Sequence, residues 1–424
     1  MAAILTDPSP AGADRCAGCG APFDCGIDRP EGCWCARLPA LAAPPAPGAG
    51  CLCETCLATA IERERVRDAL GIAAIAPLDD PALEARTAAA WAAKTMPAGA
   101  LGGLQALGTR LARIAGRVDP RVERGAVVVF AADHGLAAEG VSAYPSEVTA
   151  QMVRNFGEGG AAISVLCRAN GLELVVVDAG ARVPQPAGFA PAGARFVDAR
   201  IAAGTASPLS GAPAMSDAQA LEAMRRGAAI VRGVDADAIG LGEMGIGNSS
   251  SAALLAARLA PAPIEACVGR GTGLDDARLA HKRAVLARCL DAHPRARTPL
   301  AALAAFGGFE IAMMAGAVLA CAADRRPVVI DGFIGGAAAL VAARLEPAAA
   351  GRCVFAHRSA EPGHAPVLRA LDAVPLLDLG MRLGEGSGAA LAMPMLRAAA
   401  RLLAEMATFE SAGVVGRTAD GPPA

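Results

Sequence analysis

Ala126-Val-Val-Val-Phe-Ala-Ala-Asp133 is an unbroken apolar run that ends on an acid and leads directly into His134-Gly135. Because it is apolar throughout and not alternating, it predicts a strand buried on both faces. Runs of the same kind recur over residues 172–178, 238–243, 327–331, 353–357 and 375–379, with helix-period segments between them. Short buried strands spaced by helices predict an α/β fold with a mainly parallel sheet covered on both faces. In such sheets ligands bind beyond the carboxyl ends of the strands, so the loops after these runs are where chemistry is expected.

Three loops have the composition for it. Gly242-Glu-Met-Gly-Ile-Gly-Asn-Ser-Ser-Ser251 leads into a helix predicted from Ala252, and Gly269-Arg-Gly-Thr-Gly273 precedes the helix that carries Lys282. Amides of Gly245, Gly247 and Asn248 with the Ser249 hydroxyl, and those of Gly269, Gly271 and Gly273, suit a phosphate, since helix N-termini present free N–H groups and a positive dipole end. Neither loop is a Walker or dinucleotide motif, and tight strand-to-helix packing is the alternative reading. The third loop is Leu379-Gly-Met-Arg-Leu-Gly-Glu-Gly-Ser-Gly-Ala-Ala-Leu391, where Glu385 lies between Gly384 and Gly386. Flanking glycines let a ligand approach both backbone and carboxylate. A helix predicted over 389–406 would leave the turn's amides unpaired, and an acid there also complements the helix dipole.

The chain has 424 residues, 54% of them hydrophobic, and a formal charge of −2, which excludes bulk attraction to nucleic acid or to a membrane surface. No apolar run is long enough to span a membrane and no signal peptide is evident, so a cytoplasmic protein is expected. Lys94 and Lys282 are the only lysines among 39 basic residues, which singles each of them out. Helices are predicted over 58–70, 81–95 and 101–115, upstream of the first strand.

Cysteine usage divides the chain into a module over 1–57 and a domain over 58–424. Cys16, Cys19, Cys25, Cys33, Cys35, Cys51, Cys53 and Cys56 crowd the first part, whereas Cys167, Cys267, Cys289, Cys321 and Cys353 sit in apolar surroundings and read as packing residues. Cys16-x-x-Cys19 and Cys53-x-x-Cys56 have the spacing that wraps thiolates around a tetrahedral metal, so zinc is expected, one ion or two; redox-active thiols and an unliganded flexible tail are the other readings. The stretch 39–50 reads as a loop inside this module. Cys33-Trp-Cys35, with the flanking cysteines, resembles the small cysteine-rich family named for its Cys-Trp-Cys signature.

A longer resemblance covers residues 80–415. The run Phe130-Ala-Ala-Asp-His-Gly-Leu-Ala-Ala-Glu-Gly-Val-Ser-Ala-Tyr-Pro-Ser-Glu-Val-Thr-Ala-Gln-Met152, with Gly242-Glu-Met-Gly-Ile-Gly-Asn248, Gly269-Arg-Gly-Thr-Gly-Leu-Asp-Asp276, Ala356-His-Arg-Ser-Ala-Glu-Pro-Gly-His364 and Arg382-Leu-Gly-Glu-Gly-Ser-Gly388, resembles the nicotinate-nucleotide:dimethylbenzimidazole phosphoribosyltransferases. The resemblance implies a Rossmann-like parallel sheet, a small helical domain made from both chain ends, and a homodimer. It implies transfer of ribose phosphate from nicotinate mononucleotide to 5,6-dimethylbenzimidazole for the lower ligand of cobalamin, with no cofactor for catalysis. Glu385 then matches the family's base, Glu243 a second acid and Lys282 a family lysine, while Ser142, Tyr144 and Gln151 fall where the family builds its benzimidazole pocket. Rival readings are a nicotinate-nucleotide hydrolase on the same fold and a metal- or redox-sensing protein that reuses it. The five histidines show no spacing for a shared metal, and His134 and His357 read as local hydrogen-bonding residues.

Overall fold

A computed structural model describes residues 14–26, 32–42, 50–271 and 273–415; most of the loop expected over 39–50 lies outside the described residues. A two-residue antiparallel ladder pairs 14–15 with 22–23. After it come α1 (Glu54–Leu70), α2 (Pro81–Ala92), α3 (Gly103–Ala115), β1 (Gly125–Ala132), α4 (Glu147–Glu158), α5 (Ala162–Asn170), β2 (Glu173–Gly180) and β3 (Arg195–Asp198). The second half runs α6 (Asp217–Arg232), β4 (Ala238–Met244), α7 (Asn248–Leu259), α8 (Ile264–Cys267), α9 (Asp276–Ala292), α10 (Pro299–Phe306) and α11 (Phe309–Ala323). It ends with β5 (Val328–Ile330), α12 (Gly332–Leu345), β6 (Cys353–Phe355), α13 (His364–Ala370) and α14 (Ser387–Glu405).

The six strands form one parallel sheet in the order β3-β2-β1-β4-β5-β6, with Val128 of β1 opposite Val175 on one side and Leu241 on the other. This is the doubly wound order, whose direction reverses between β1 and β4 and opens a crevice at the strand ends there. Every residue of β1 is buried, as its unbroken apolar sequence predicts, because helices cover both faces. The expected strand at 375–379 does not form. Its backbone follows β6 only beyond the strand's end, where Leu376 and Leu377 donate to the Phe355 and Ala356 carbonyls (both 3.0 Å) and Leu377 makes an isolated bridge with His357. Sequence reading missed β3, a four-residue edge strand with charged ends and no fully buried residue.

Both chain ends build the small helical domain. Trp91 of α2, Ala112 of α3 and Leu403 of α14 pack together, and the Trp91 indole donates to Thr109 (3.0 Å). Helix α2 stops at Ala92, short of the predicted 95, because Thr95 instead donates to the Ala407 carbonyl (3.1 Å) and buried Lys94 donates its Nζ to Met406 (2.6 Å). Lys94 therefore ties the two ends together. Helix α1 crosses residue 57, so the cysteine module and the larger domain share a helix: Cys53 caps it, and Val66 and Leu70 join the main core. Among the described residues no helix is long and apolar enough to cross a membrane.

Helices α6 and α11 cross at two glycines, Gly227 against the Met313 backbone and Gly316 against that of Met224. A Cβ at either position would overlap a carbonyl. Gly316→Ala is expected to cost about 1–3 kcal/mol through overpacking, read as a lower Tm by calorimetry; an unchanged Tm would refute the close crossing.

Candidate active site

The carboxyl ends of the strands deliver His134 after β1, Glu243 near the end of β4, Asp331 after β5 and His357 after β6. The turn before α14 folds back over them. Gly384, Glu385 and Gly386 have φ of 82°, 65° and 84°, three successive left-handed residues of which the middle one carries a side chain. Such a conformation costs about 1–3 kcal/mol for a non-glycine and persists only where the surroundings dictate it. Here they do: a Cβ on Gly242 would lie 2.5 Å from the Glu385 carbonyl, so β4 and the turn touch backbone to backbone. The turn's amides are not unpaired as expected, since Asp331 accepts from Gly386 and Gly388 (both 2.9 Å). Asp331, which sequence reading passed over, is thus the acid that complements the α14 dipole.

Glu385 is released from that duty. It is 7% exposed, it accepts from the backbone N–H of Ile163 at the start of α5, and its Oε2 has no partner. Burial pushes its carboxyl above the usual range and the Asp331 charge adds to the rise, against the Ile163 amide. Glu243, also 7% exposed, packs its Oε1 against Gly384 and accepts from the Asn248 amide. Burial first, then the charges of Asp331 and Glu310, with a smaller push from Glu385, raise it to about 8, opposed by Asn248. At neutral pH Glu243 therefore holds its proton.

The sign of that effect sets a stability test. As pH rises from the ordinary carboxyl range toward about 8, the unfolded chain loses the Glu243 proton while the folded one keeps it, so folding is progressively penalised. Glu243→Gln removes the penalty. Its Tm is expected to gain on the wild type between pH 5 and pH 8; a pH-independent difference would contradict the raised value.

On the other side of Glu243, Asn248 opens α7, and Ser249 accepts from the Nζ of Lys282 (3.1 Å). Lys282, on α9, is 1% exposed, not a solvated helical lysine, and burial lowers it to about 8 against the charge of Glu361. Gly271 faces both groups: its Cβ would lie 3.2 Å from Ser249 Oγ and 3.5 Å from Lys282 Nζ. Val141, Ser142, Gly245, Ile246 and Gly247 complete a small pocket around them. Gly269 packs on Glu361, and Gly273 takes a φ of 110° at the end of the same loop. Tyr144 is 53% exposed and Gln151 is exposed on α4, so of the three expected pocket residues only Ser142 lines this cavity.

His134 bridges Glu310 (Nε2 to Oε1, 2.6 Å) and Ser251 (Nδ1 to Oγ, 2.9 Å) in full burial. His357 lies 3.2 Å from Asp331; burial lowers it, but the Asp331 partner outweighs this and leaves it above its ordinary value. Glu310 was missed because it lies inside a helical segment with no local motif; Glu361 falls within the 356–364 run quoted above, where nothing local sets it apart as a site residue. Asp331 had a readable signal, an acid at a strand end like Asp133 and Asp178.

In the cysteine module the Sγ atoms of Cys16, Cys19, Cys53 and Cys56 all lie within 4.8 Å of one another. The amides of Gly18 (3.4 Å) and Cys53 (3.2 Å) point at Cys16 Sγ, the hydrogen bonding of a metal knuckle. Four thiolates so placed fit a tetrahedral metal ion. Cys25, Cys33, Cys35 and Cys51 stand outside this tetrad.

A family profile described as Phosphoribosyltransferase matches residues 75–414. The nicotinate-nucleotide–dimethylbenzimidazole phosphoribosyltransferase of Variovorax paradoxus is 55% identical over 343 residues, 81% of this chain and 97% of that protein. Its namesake in Azotobacter vinelandii is 52% identical over 352 residues, 81% and 97% of the two chains. The crystal structure of the enzyme of this name from Thermus thermophilus superposes with a TM-score of 0.74 at 42% identity, covering 80% of this chain and all of that one. With the doubly wound sheet, the chain belongs to the nicotinate-nucleotide–dimethylbenzimidazole family of phosphoribosyltransferases.

Proposed function

We infer that this chain transfers the phosphoribosyl group of nicotinate mononucleotide to 5,6-dimethylbenzimidazole, giving α-ribazole 5′-phosphate and nicotinate for cobalamin's lower ligand. The observation that carries the mechanism is the partnerless, buried Oε2 of Glu385, which a chain of contacts links to Lys282. A continuous set of contacts joins them: Glu385's turn to Glu243, Glu243 to Asn248, then Ser249 to Lys282.

The nucleotide's pyridinium leaves as a neutral ring nitrogen and needs no acid, so the enzyme's task lies with the nucleophile. One benzimidazole nitrogen attacks the anomeric carbon while Glu385 takes the proton from the other, a base made stronger by its burial. Positive charge gathers on the ribose as the bond to nicotinate breaks. Glu243, which keeps its proton, is assigned an orienting and electrostatic role there, its carboxyl dipole facing the developing charge with no proton transferred. The 5′-phosphate is assigned to the Gly245, Gly247, Asn248 and Ser249 end of α7, with Lys282 and the 269–273 loop as its cationic and backbone wall. Ser142 borders this pocket; Tyr144 and Gln151 are proposed to close over the benzimidazole.

The Cys16, Cys19, Cys53 and Cys56 tetrad is assigned a structural zinc ion, outside the region that matches the family. Homodimeric assembly in the reducing cytoplasm, where thiolate sites persist, completes the reading. Incubating the protein with nicotinate mononucleotide tests it: nicotinate and α-ribazole phosphate should appear in equal amounts, and only when dimethylbenzimidazole is added. Equal nicotinate release without the base would make the protein a hydrolase.

A further inference from the structure

The four cysteines left out of the first tetrad lie near one another in a more open arrangement than that tetrad. Cys25 Sγ is 3.5 Å from Cys33 Sγ, and Cys33 Sγ is 2.9 Å from Cys35 Sγ. Cys51, two residues before Cys53, lies near enough to Cys25 and Cys35 for its charge to act on both thiols. The Cys25–Cys33 separation is close to the roughly 3.8 Å between sulfurs around a tetrahedral zinc with Zn–S bonds of about 2.3 Å, and the shorter Cys33–Cys35 pair would open as an ion enters. Both separations are far too long for a disulfide, and all four thiols are free. The backbone holds them in place independently of any ion. The Trp34 indole donates to the Asp24 carbonyl (3.2 Å), which fastens the Cys33–Cys35 turn to the strand end bearing Cys25.

Packing alone does not account for this arrangement. Among the described residues before α1, Cys16 and Cys25 carry the only buried side chains, one in each group of four. A segment with no aliphatic core needs covalent or metal cross-links to fold.

We propose that Cys25, Cys33, Cys35 and Cys51 form a second tetrathiolate site that binds its own zinc ion, which makes the module binuclear. Loading follows 4 RSH + Zn²⁺ → Zn(SR)₄²⁻ + 4 H⁺, with no change of oxidation state. Its ligands are nested in sequence between Cys19 and Cys53 of the outer site, and the two sites abut across Leu52, whose side chain packs on Gly18. Closing the outer site therefore closes the loop that holds the inner one.

Metal analysis of the full-length protein, purified anaerobically with reductant, tests this by stoichiometry. Two zinc ions per chain are expected in the wild type, one in Cys33→Ser/Cys35→Ser, one in Cys19→Ser/Cys56→Ser and none in the quadruple variant. The zinc retained by each double variant is its own folding control. Cobalt substitution of Cys19→Ser/Cys56→Ser should give the visible absorption of a tetrahedral tetrathiolate from the inner site alone. One zinc in the wild type, two in Cys33→Ser/Cys35→Ser, or iron with acid-labile sulfide in place of zinc would each overturn the proposal.

Discussion

Glu385→Gln is expected to lower kcat by ~10²-fold or more while leaving KM for nicotinate mononucleotide close to that of the wild type. The substitution keeps the shape of the side chain and its acceptor toward the Ile163 amide, so the left-handed turn and the α14 cap on Asp331 should survive. What disappears is the lone pair that takes the benzimidazole proton. In the wild type the acid limb of kcat/KM should fall at a pH above the ordinary carboxyl range, because burial and Asp331 raise Glu385 and the base works only once its proton has gone. Near-normal turnover in the glutamine variant would remove Glu385 from the mechanism.

Nicotinate riboside, which lacks the 5′-phosphate, is expected to react with a kcat/KM about 10³-fold below that of the mononucleotide. Two or three charge-assisted hydrogen bonds of about 1.5–3 kcal/mol each, partly offset by desolvation, set that scale. Lys282→Met should close most of the gap by harming the mononucleotide and sparing the riboside. The lysine is buried beside Ser249 with its pKa lowered to about 8, and a phosphate dianion would raise it again and hold the charge in place. Equal efficiency on both substrates, or equal losses on both in Lys282→Met, would place the phosphate elsewhere.

Much of this site could be read from the sequence because it lies where an apolar strand gives way to glycine. β1, β2 and β4 announce themselves by composition, and the ends of those strands hold the glutamate and glycine loop that were singled out. The rest depended on partners far apart in the chain. That Asp331 rather than Glu385 caps α14 follows from a contact across 55 residues, and no local pattern carries it. The expected strand at 375–379 has strand composition, but it has only the tip of β6 to pair with. The raised pKa of Glu243 likewise comes from burial and then from three other acids that meet it only in the fold. In the module, spacing identified the knuckles, and the fold brought their four sulfurs together.

The position of α14 has a consequence for synthesis of the protein. Its residues Ala389, Met393 and Leu396 cover the face of the sheet formed by Val127 and Val129, and the turn that precedes it carries Glu385, the proposed base. A nascent chain that has extruded β1 to β6 owns the Lys282 cradle but neither the cover for that face nor Glu385. Chains that stop short of α14 are therefore expected to expose an apolar sheet face to chaperones and, lacking the proposed base, to leave the nucleotide uncleaved.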